Sequence, residues 1–187
     1  VFDLSFLHPI PNLTIAVPKD LKEFEDMLEF SAKFEAPLAI RYPREGKHIF
    51  KIHSPIELGK WEELTAGGGN ATIIACGETP VTLALASAQI LEAEGISVRV
   101  INARFVKPLD VGMLKNIKEK FIITVEDNML IGGFGSLING FFAGGDKTIK
   151  NFAYKDCFIP QGGICELMED LGLSCQAITD YIKNAIG

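Results

Sequence analysis

The sequence predicts an α/β protein built around a doubly wound, mainly parallel β-sheet. Short apolar segments alternate with longer amphipathic segments along residues 71–187, which is the pattern of strands separated by helices. A strand–helix–strand pattern also lies within residues 1–45, and a crossover of this kind joins parallel strands. Hydrophobic residues form 48% of the 187 residues and charged residues 22%, so the chain has the composition of a protein with a core.

Composition excludes two classes of protein. The formal net charge is −6 and Lys and Arg form no run, whereas a nucleic-acid-binding protein needs clustered positive charge. The longest uncharged run, residues 128–145, is interrupted by glycines and polar residues and is therefore a poor membrane span. The four cysteines include no C-x-x-C pair, which predicts reduced thiols in an intracellular protein.

The sequence pattern of residues 1–45 predicts a βαβ unit, and this unit is too small to fold alone. Residues 13–17 and 37–42 form its two predicted strands. Between them, Asp20 and Glu23 have the spacing of a capping box at the start of a helix. Two parallel strands and one helix cannot bury both faces of a sheet. We therefore expect this segment to be the end of a larger domain or to dock on a partner.

The sequence after residue 45 predicts a connector and a second domain. Residues 46–70 have the composition of a surface connector that ends in an edge strand, with Trp61 as a packing residue. Residues 71–187 are long enough to have a core of their own. The predicted strands of this domain cover residues 71–76, 98–103, 121–125 and about 149–154. The predicted helices cover residues 79–94, 109–120, a segment that begins at 132–136, and about 162–171 and 174–186.

Two arginines are predicted to lie at the carboxyl end of the second strand. Arg41 and Arg44 flank a Tyr-Pro pair, and ligands bind at this edge of parallel sheets. A guanidinium group binds phosphate or carboxylate through paired hydrogen bonds. The pattern is equally consistent with an anion site at Arg44, in which Arg41 has a minor role, and with two surface arginines.

A glycine-rich segment follows the predicted strand at residues 121–125. Gly132, Gly133, Gly135 and Ser136 precede a predicted helix, whose N-terminal N–H groups can receive an anion. The segment lacks the Lys of a phosphate-binding P-loop, so glycines that permit close packing of helix and strand are the favoured interpretation.

Charged residues also follow the strands of the second domain. Glu126 and Asp127 could act as acid and base or hold a cation, but capping of the following loop is favoured because no His or Lys lies nearby in sequence. Arg104 and Lys107 are expected in a rigid loop at the same edge, where they could pair with these two carboxylates. The three histidines show neither a metal-ligand spacing nor a nucleophile relay, so triad chemistry is not predicted.

Nine short strings occur in the order that is found in one enzyme family. They lie at residues 1–7, 10–11, 18–20, 39–44, 58–61, 95–98, 102–110, 124–128 and 132–136. The most distinctive of them read AIRYPR, NARFVKPLD, TVEDN and GGFGS. The chain thereby resembles the C-terminal part of the 1-deoxy-D-xylulose-5-phosphate synthases, a thiamine-diphosphate-dependent family of the transketolase superfamily.

The resemblance implies three parts and a reaction. Residues 1–45 would be the C-terminal remnant of the thiamine pyrimidine-binding domain, residues 46–70 a linker and edge strand, and residues 71–187 a transketolase C-terminal-like domain. The whole enzyme would be a transferase that condenses pyruvate with glyceraldehyde 3-phosphate to 1-deoxy-D-xylulose 5-phosphate and CO₂, a precursor of isoprenoids and thiamine. It would be a homodimer in the cytoplasm, or in a plastid of a eukaryote, without a membrane or nucleic-acid partner.

The resemblance also assigns roles within the chain. Arg44 would bind the phosphate of glyceraldehyde 3-phosphate, although Glu45 stands where the family has glycine. Thiamine diphosphate and Mg²⁺ would be bound by upstream residues, because the Gly-Asp-Gly signature is absent, and no catalytic residue or metal ligand would lie in this chain. Since the cofactor supplies the carbanion chemistry, the chain is expected to be inactive without the missing N-terminal portion.

Two alternatives stay open at this point. The chain could be an autonomous, non-enzymatic regulatory module that binds an anion at residues 132–136. It could also be the β-subunit of a two-chain thiamine-dependent 2-oxoacid dehydrogenase, although the string at residues 102–108 argues against this.

Overall fold

A computed structural model describes residues 2–43, 46, 50, 53–65 and 68–187 of the chain. Arg44, which the sequence indicates as the candidate phosphate ligand, lies outside the described residues, as does the neighbouring Glu45. Of the helices that the structure describes, none is both long enough and apolar enough to span a membrane.

The described helices and strands follow the alternation that the sequence predicts. The helices are α1 (Asp3–Leu7), α2 (Leu21–Ser31), α3 (Glu78–Ala93), α4 (Val111–Lys115), α5 (Phe134–Phe141), α6 (Ile164–Asp170) and α7 (Cys175–Ile186). The strands are β1 (Thr14–Ala16), β2 (Leu38–Ile40), β3 (Glu62–Glu63), β4 (Ala71–Cys76), β5 (Val98–Asn102), β6 (Phe105–Lys107), β7 (Phe121–Met129) and β8 (Thr148–Tyr154).

A five-stranded sheet in the order β3-β5-β4-β7-β8 is formed within residues 62–154. β4 pairs in parallel with β5 and β7, and β7 pairs in parallel with β8. β3 is antiparallel to β5 and lies at the edge, where the sequence predicts an edge strand. The sheet is therefore mainly parallel, as predicted.

The alternation of side chains along β4 divides the core into two layers. Ile73 packs in one cluster with residues of α3 and α7. Ile74 points to the other face and packs in a second cluster with residues of α1, β1, α2 and α5. All of β4 is buried, as expected of a strand between two layers of helices. This two-sided packing confirms the predicted doubly wound fold, in which residues 2–43, the first segment, cover one face of the sheet.

A second sheet, in the order β2-β1-β6, joins the first segment to residues 105–107. β1 and β2 are parallel, which confirms the predicted crossover. β6 is antiparallel to β1, so that Ile15 lies opposite Lys107. The sequence predicts a loop where β6 forms, and this prediction is wrong because the free edge of β1 supplies hydrogen-bond partners from a distant part of the chain.

Asp20 caps the start of α2, as the sequence predicts, but Glu23 binds the N–H of the residue before the cap and not that of the cap itself. Asp20 accepts a hydrogen bond from the Glu23 N–H at 2.9 Å, and the Glu23 carboxylate accepts one from the Lys19 N–H at 2.6 Å. The buried face of the helix differs from the prediction. Glu23 and Met27 are buried, whereas Leu28, which the helical spacing assigns to the apolar face, is 46% exposed.

The start of α4 is also confirmed, but its length is not. Asp110 accepts a hydrogen bond from the Met113 N–H at 2.9 Å and so caps the helix. The sequence predicts a helix over residues 109–120, and this is wrong because α4 ends at Lys115. The apolar pattern continues beyond the helix since Ile117 is buried in the core from a non-helical segment.

Candidate functional site

A cleft of about 370 Å³ opens where parallel strands of both sheets end. We call it the carboxyl-edge cleft. Its described lining follows β1 at Val17 and Pro18, follows β2 at residues 41–43, follows β4 at residues 77–79, and includes Asp127 of β7. Residues of α1 and its N-terminal cap complete the described wall. Since ligands of open parallel sheets bind at this edge, the cleft is the candidate functional site.

Arg41 lines this cleft, and carboxylates from two other elements hold it. Its Nε donates to Asp3 Oδ2 at 2.6 Å, and its Nη1 donates to Asp127 Oδ1 at 2.5 Å. Its Nη2 donates to the backbone oxygen of Asp127 at 3.3 Å. The three side chains are between 19% and 31% exposed, and we call them the half-open cluster. The half-open cluster ties α1 and the end of β2 to β7.

The charges of the half-open cluster stabilise one another. Burial disfavours the charged guanidinium, but Asp127 and Asp3 outweigh this effect and raise the pKa of Arg41 above its ordinary value. Burial alone would raise the pKa of Asp3, but Arg41 outweighs it and lowers that pKa below its ordinary value. Glu78 adds a third carboxylate to the described lining, so three acidic groups accompany one basic group.

These contacts bear on the sequence-predicted roles of the two arginines. Arg41 binds carboxylates of its own chain, and its minor role as a phosphate ligand stays a prediction. Arg44 follows Pro43, which lines the cleft, but Arg44 itself lies outside the described residues. Its role as a phosphate ligand therefore also stays a prediction.

Glu126 caps α5 next to the half-open cluster. Its carboxylate is fully buried and accepts hydrogen bonds from the N–H groups of Phe134 at 2.8 Å and Gly135 at 2.7 Å. This confirms the capping interpretation of Glu126 that the sequence favoured. The N–H groups of the predicted anion-binding loop thus hold a carboxylate of the protein itself. Burial raises the pKa of Glu126 to about 8, against the opposing effect of the two N–H donors.

Close packing explains the glycines of this loop. A Cβ at Gly135 would lie 2.7 Å from Asn151 Nδ2 and 2.9 Å from Thr124 Oγ1. A Cβ at Gly133 would lie 2.1 Å from the backbone oxygen of Met129. No larger residue fits without displacement of these neighbours. The contacts support the packing interpretation, and binding of an external anion by this loop stays a prediction.

A second charged cluster lies below the surface, between α2, β3 and the segment that joins β5 to β6. It consists of Lys19, Glu23, Glu62 and Arg104, whose side chains are at most 9% exposed, and we call it the sealed network. Arg104 Nε lies 2.9 Å from Glu23 Oε1, and Arg104 Nη2 lies 3.0 Å from Glu62 Oε2. Lys19 Nζ donates to Glu62 Oε2 at 2.7 Å. Two positive and two negative charges therefore balance.

The sealed network corrects a prediction. The sequence allows Arg104 and Lys107 to pair with the carboxylates at residues 126–127, but the structure places both cations on other partners. Arg104 pairs with carboxylates of the sealed network, and Lys107 Nζ donates to the backbone oxygens of His8 at 2.9 Å and Ile10 at 2.6 Å. The reason is the pairing of β6 with β1, which brings the first segment next to both cations.

Sequence reasoning missed Asp3, Lys19 and Glu62 as members of these clusters. The four-residue spacing of Lys19 and Glu23 is a signal that could have indicated an ion pair. Asp3 and Glu62 carry no such signal, because Asp3 is 38 residues from Arg41 and Glu62 is 43 residues from Lys19. Contacts at these separations depend on the fold.

Sequence comparisons match the chain to a family and to longer proteins. The family described as "Transketolase, C-terminal domain" matches residues 59–178. A 1-deoxy-D-xylulose-5-phosphate synthase from Aquifex aeolicus (strain VF5) is 40% identical over 192 residues, which cover 100% of this chain and 30% of that protein. A protein of the same name from Clostridium tetani (strain Massachusetts / E88) is 41% identical over 183 residues, which cover 95% of this chain and 29% of that protein. The chain thus spans about 30% of the length of these relatives.

Solved structures show the same architecture. A structure described as "Split gene transketolase, inactive beta4 tetramer" superposes with a TM-score of 0.88 at 28% identity, covering 98% of this chain and 60% of that one. A transketolase from Campylobacter jejuni subsp. jejuni NCTC 11168 superposes with a TM-score of 0.68 at 18% identity, covering 97% of this chain and 27% of that one. The second likeness shows a shared fold alone.

Proposed function

Because the chain belongs to the transketolase C-terminal domain family, we propose that it forms the C-terminal part of a 1-deoxy-D-xylulose-5-phosphate synthase. The observation that supports this most is the identity of 40% and 41% to synthases of that name across nearly the whole chain. The complete enzyme would condense pyruvate with glyceraldehyde 3-phosphate and release CO₂. The product would be a precursor of isoprenoids and thiamine.

In this proposal the carboxyl-edge cleft lies beside the phosphate of glyceraldehyde 3-phosphate. Arg44 binds that phosphate through charge-assisted hydrogen bonds. The turn that precedes it is held in place, because Arg41 is fixed between Asp3 and Asp127 and Pro43 lines the cleft. The chain then contributes to substrate binding and orientation in the complete enzyme.

The described residues do not fit thiamine diphosphate and Mg²⁺. Within the part of the chain that the structure describes, no group of three or more His, Cys, Asp or Glu side chains could hold a metal ion. Arg41, the one cation in the described lining of the carboxyl-edge cleft, is bound by Asp3 and Asp127 and is therefore not available to a diphosphate. Residues outside this chain would therefore bind the cofactor, which supplies the carbanion chemistry of the reaction. The chain alone would be inactive, as is stated of the split gene transketolase beta4 tetramer.

The proposal includes partners and a domain division. The chain would act with the N-terminal portion of the same enzyme, and the complete enzyme would be a homodimer in the cytoplasm or, in a eukaryote, in a plastid. Residues 1–45 would complete the pyrimidine-binding domain, and residues 71–187 would be the C-terminal domain proper. The pairing of β1 with β6 supports a first segment that stays docked on that domain.

A reconstitution assay tests the proposed activity. The chain is mixed with the N-terminal portion of the enzyme from the same organism, thiamine diphosphate, Mg²⁺, pyruvate and glyceraldehyde 3-phosphate, and CO₂ release is measured. We expect CO₂ release only when both polypeptides are present. Undiminished release by the N-terminal portion alone, or no release from a stable complex of the two, would contradict the proposal.

The Arg44→Ala variant tests the phosphate contact in the reconstituted enzyme. Loss of a charge-assisted contact should raise the KM for glyceraldehyde 3-phosphate by at least about tenfold and leave the KM for pyruvate unchanged. The matched control is Lys115→Ala, which removes an exposed positive charge from the last turn of α4 and should change neither constant. An unchanged KM for glyceraldehyde 3-phosphate in Arg44→Ala would refute the assignment.

A further inference from the structure

One edge of β2 is unpaired within the described part of the chain. β2 is the outermost strand in the order β2-β1-β6, and β1 is its neighbour. The Thr14 N–H of β1 donates to the Pro37 oxygen, and the Arg41 N–H donates to the Ala16 oxygen of β1, both at 2.9 Å. In a parallel pair, the residues that bond to one neighbour alternate along the strand. β1 therefore uses the backbone groups of positions 37, 39 and 41.

The backbone groups of Leu38 and Ile40 point away from β1. Alternation leaves these two residues for the outer edge, and no strand of the described residues lies beyond it. The side chains of both residues pack against the core cluster that contains Ile74, so Ala39 points to the other face of the sheet. Two N–H and two C=O groups thus form a row at the outer edge of β2. Such a row is a template for pairing with a further strand.

β2 lacks the charge that the other outer strands carry. Proteins keep exposed strand edges from pairing with other chains by placing charged residues or Pro in them. In the two described sheets, Glu63 lies in β3, Lys107 in β6 and Lys150 in β8. β2 reads Leu-Ala-Ile, and all three residues are half-buried. Pro37 does not block the outer edge, because position 37 faces β1. Of the four outer strands that the structure describes, β2 is therefore the one suited to accept a neighbour.

We propose that a strand of the N-terminal portion of the enzyme pairs with the outer edge of β2 and extends the sheet β2-β1-β6. The identity of this partner rests on the proposed function, in which the chain acts with that portion. The chain spans about 30% of the length of its synthase relatives, so the complete protein has enough further chain to supply a strand. An extended segment has the matching chemistry, since its own N–H and C=O groups alternate with the spacing of those in Leu38 and Ile40.

Hydrogen–deuterium exchange of single amides tests the addition of a strand. Exchange is measured in the full 187-residue chain and in its complex with the N-terminal portion from the same organism. We expect the Leu38 and Ile40 amides to exchange at least about tenfold more slowly in the complex, because each becomes hydrogen-bonded. The Ala39 amide faces β1 in both states. It is the internal control and should already exchange slowly in the chain alone.

The outcomes of this measurement separate the inference from the proposed function. If the complex forms and releases CO₂ from pyruvate while the Leu38 and Ile40 amides keep their exchange rates, strand addition is overturned and the proposed function stands. Failure of the two polypeptides to form a complex would contradict both.

Ala39→Lys tests the same edge by substitution. A lysine gives β2 the kind of charge that the other outer strands carry, and position 39 is not part of the core cluster that holds Leu38 and Ile40. We expect the affinity for the N-terminal portion, measured by isothermal titration calorimetry, to fall at least about tenfold. The matched control Ala32→Lys makes the same change at an exposed position that follows α2 and should keep the parent affinity.

Urea denaturation of both lysine variants shows whether they fold. Equal affinity of a folded Ala39→Lys and of Ala32→Lys would overturn the proposal. If Ala39→Lys does not fold, the exchange measurement on the unaltered protein decides alone.

A second copy of the chain is the competing occupant of this edge. Light scattering gives the mass of the isolated chain in solution, and we expect the same mass for the parent protein and for Ala39→Lys. A parent dimer that Ala39→Lys converts to a monomer would show that β2 pairs with another copy, and would overturn the assignment to the N-terminal portion.

Discussion

The sealed network and the half-open cluster both join the first segment to residues 71–187, but they differ in exposure and in charge balance. The sealed network has two positive and two negative groups, which are at most 9% exposed. The half-open cluster has one positive and two negative groups, which are 19% to 31% exposed. Buried charges have to be compensated by protein groups, whereas water compensates charges at a cleft. The comparison indicates that the sealed network contributes most to holding the two parts of the chain together, whereas the half-open cluster keeps contact with solvent in the carboxyl-edge cleft.

Arg104→Met should have the largest effect, because it leaves two buried carboxylates with one ammonium group. We expect the free energy of unfolding to fall by about 3–5 kcal/mol, the usual cost of removing one partner of a buried ion pair. Urea denaturation measures this change. Lys115→Met, at an exposed position, is the control and should stay within about 0.5 kcal/mol of the parent protein. If Arg104→Met lowers the free energy of unfolding by less than about 1 kcal/mol, the sealed network is not needed to hold the first segment on the rest of the chain.

The titration of Glu126 should have an intermediate effect on the free energy of unfolding. Its folded-state pKa of about 8 lies above the ordinary value of 4.5, so the folded protein retains a proton that the unfolded chain releases. The stabilisation is complete below the unfolded pKa and is lost as the pH rises through the folded pKa, by at most about 1.4 kcal/mol per pH unit. The pKa of Glu126 is thus raised, because burial outweighs its two hydrogen bonds. In the half-open cluster beside it the pKa of Asp3 is lowered, because Arg41 outweighs burial.

Unfolding free energies measured by urea denaturation between about pH 5 and 8 test this behaviour. We expect Glu126→Gln to remove part of the decline that the parent protein shows as the pH rises. Glu94→Gln, which replaces an exposed carboxylate, should keep that decline. Parallel curves for the parent protein and Glu126→Gln would contradict the raised pKa.

Asp127→Asn should have the smallest effect of the three. Solvent screens the half-open cluster, so we expect a loss of at most about 1 kcal/mol in the free energy of unfolding. Lys183→Gln breaks an ion pair with Glu94 that is more exposed still, and serves as the reference with an expected loss of about 0–0.5 kcal/mol. If Asp127→Asn were as costly as Arg104→Met, the distinction between the two clusters would disappear.

The features that could be predicted from the sequence depend on interactions within a few residues or on burial of a whole strand. β4 lies at the predicted residues 71–76, because a central parallel strand needs a continuous apolar sequence. Asp20 and Asp110 cap helices as predicted, since each side chain binds an N–H group three residues ahead. The position of the carboxyl-edge cleft could also be anticipated, because ligand clefts in open parallel sheets form where the strands end.

The sequence by itself determined the mainly parallel sheet, the capped helix starts and the strand ends that line the carboxyl-edge cleft. Tertiary structure alone decided that β6 is a strand, that Arg104 is buried among carboxylates of the sealed network, and that Arg41 lies between Asp3 and Asp127. The physical reason is that these partners become neighbours only after the chain has packed. The sequence position of a charged residue does not show whether its side chain becomes buried, and burial determines which partner the charge needs.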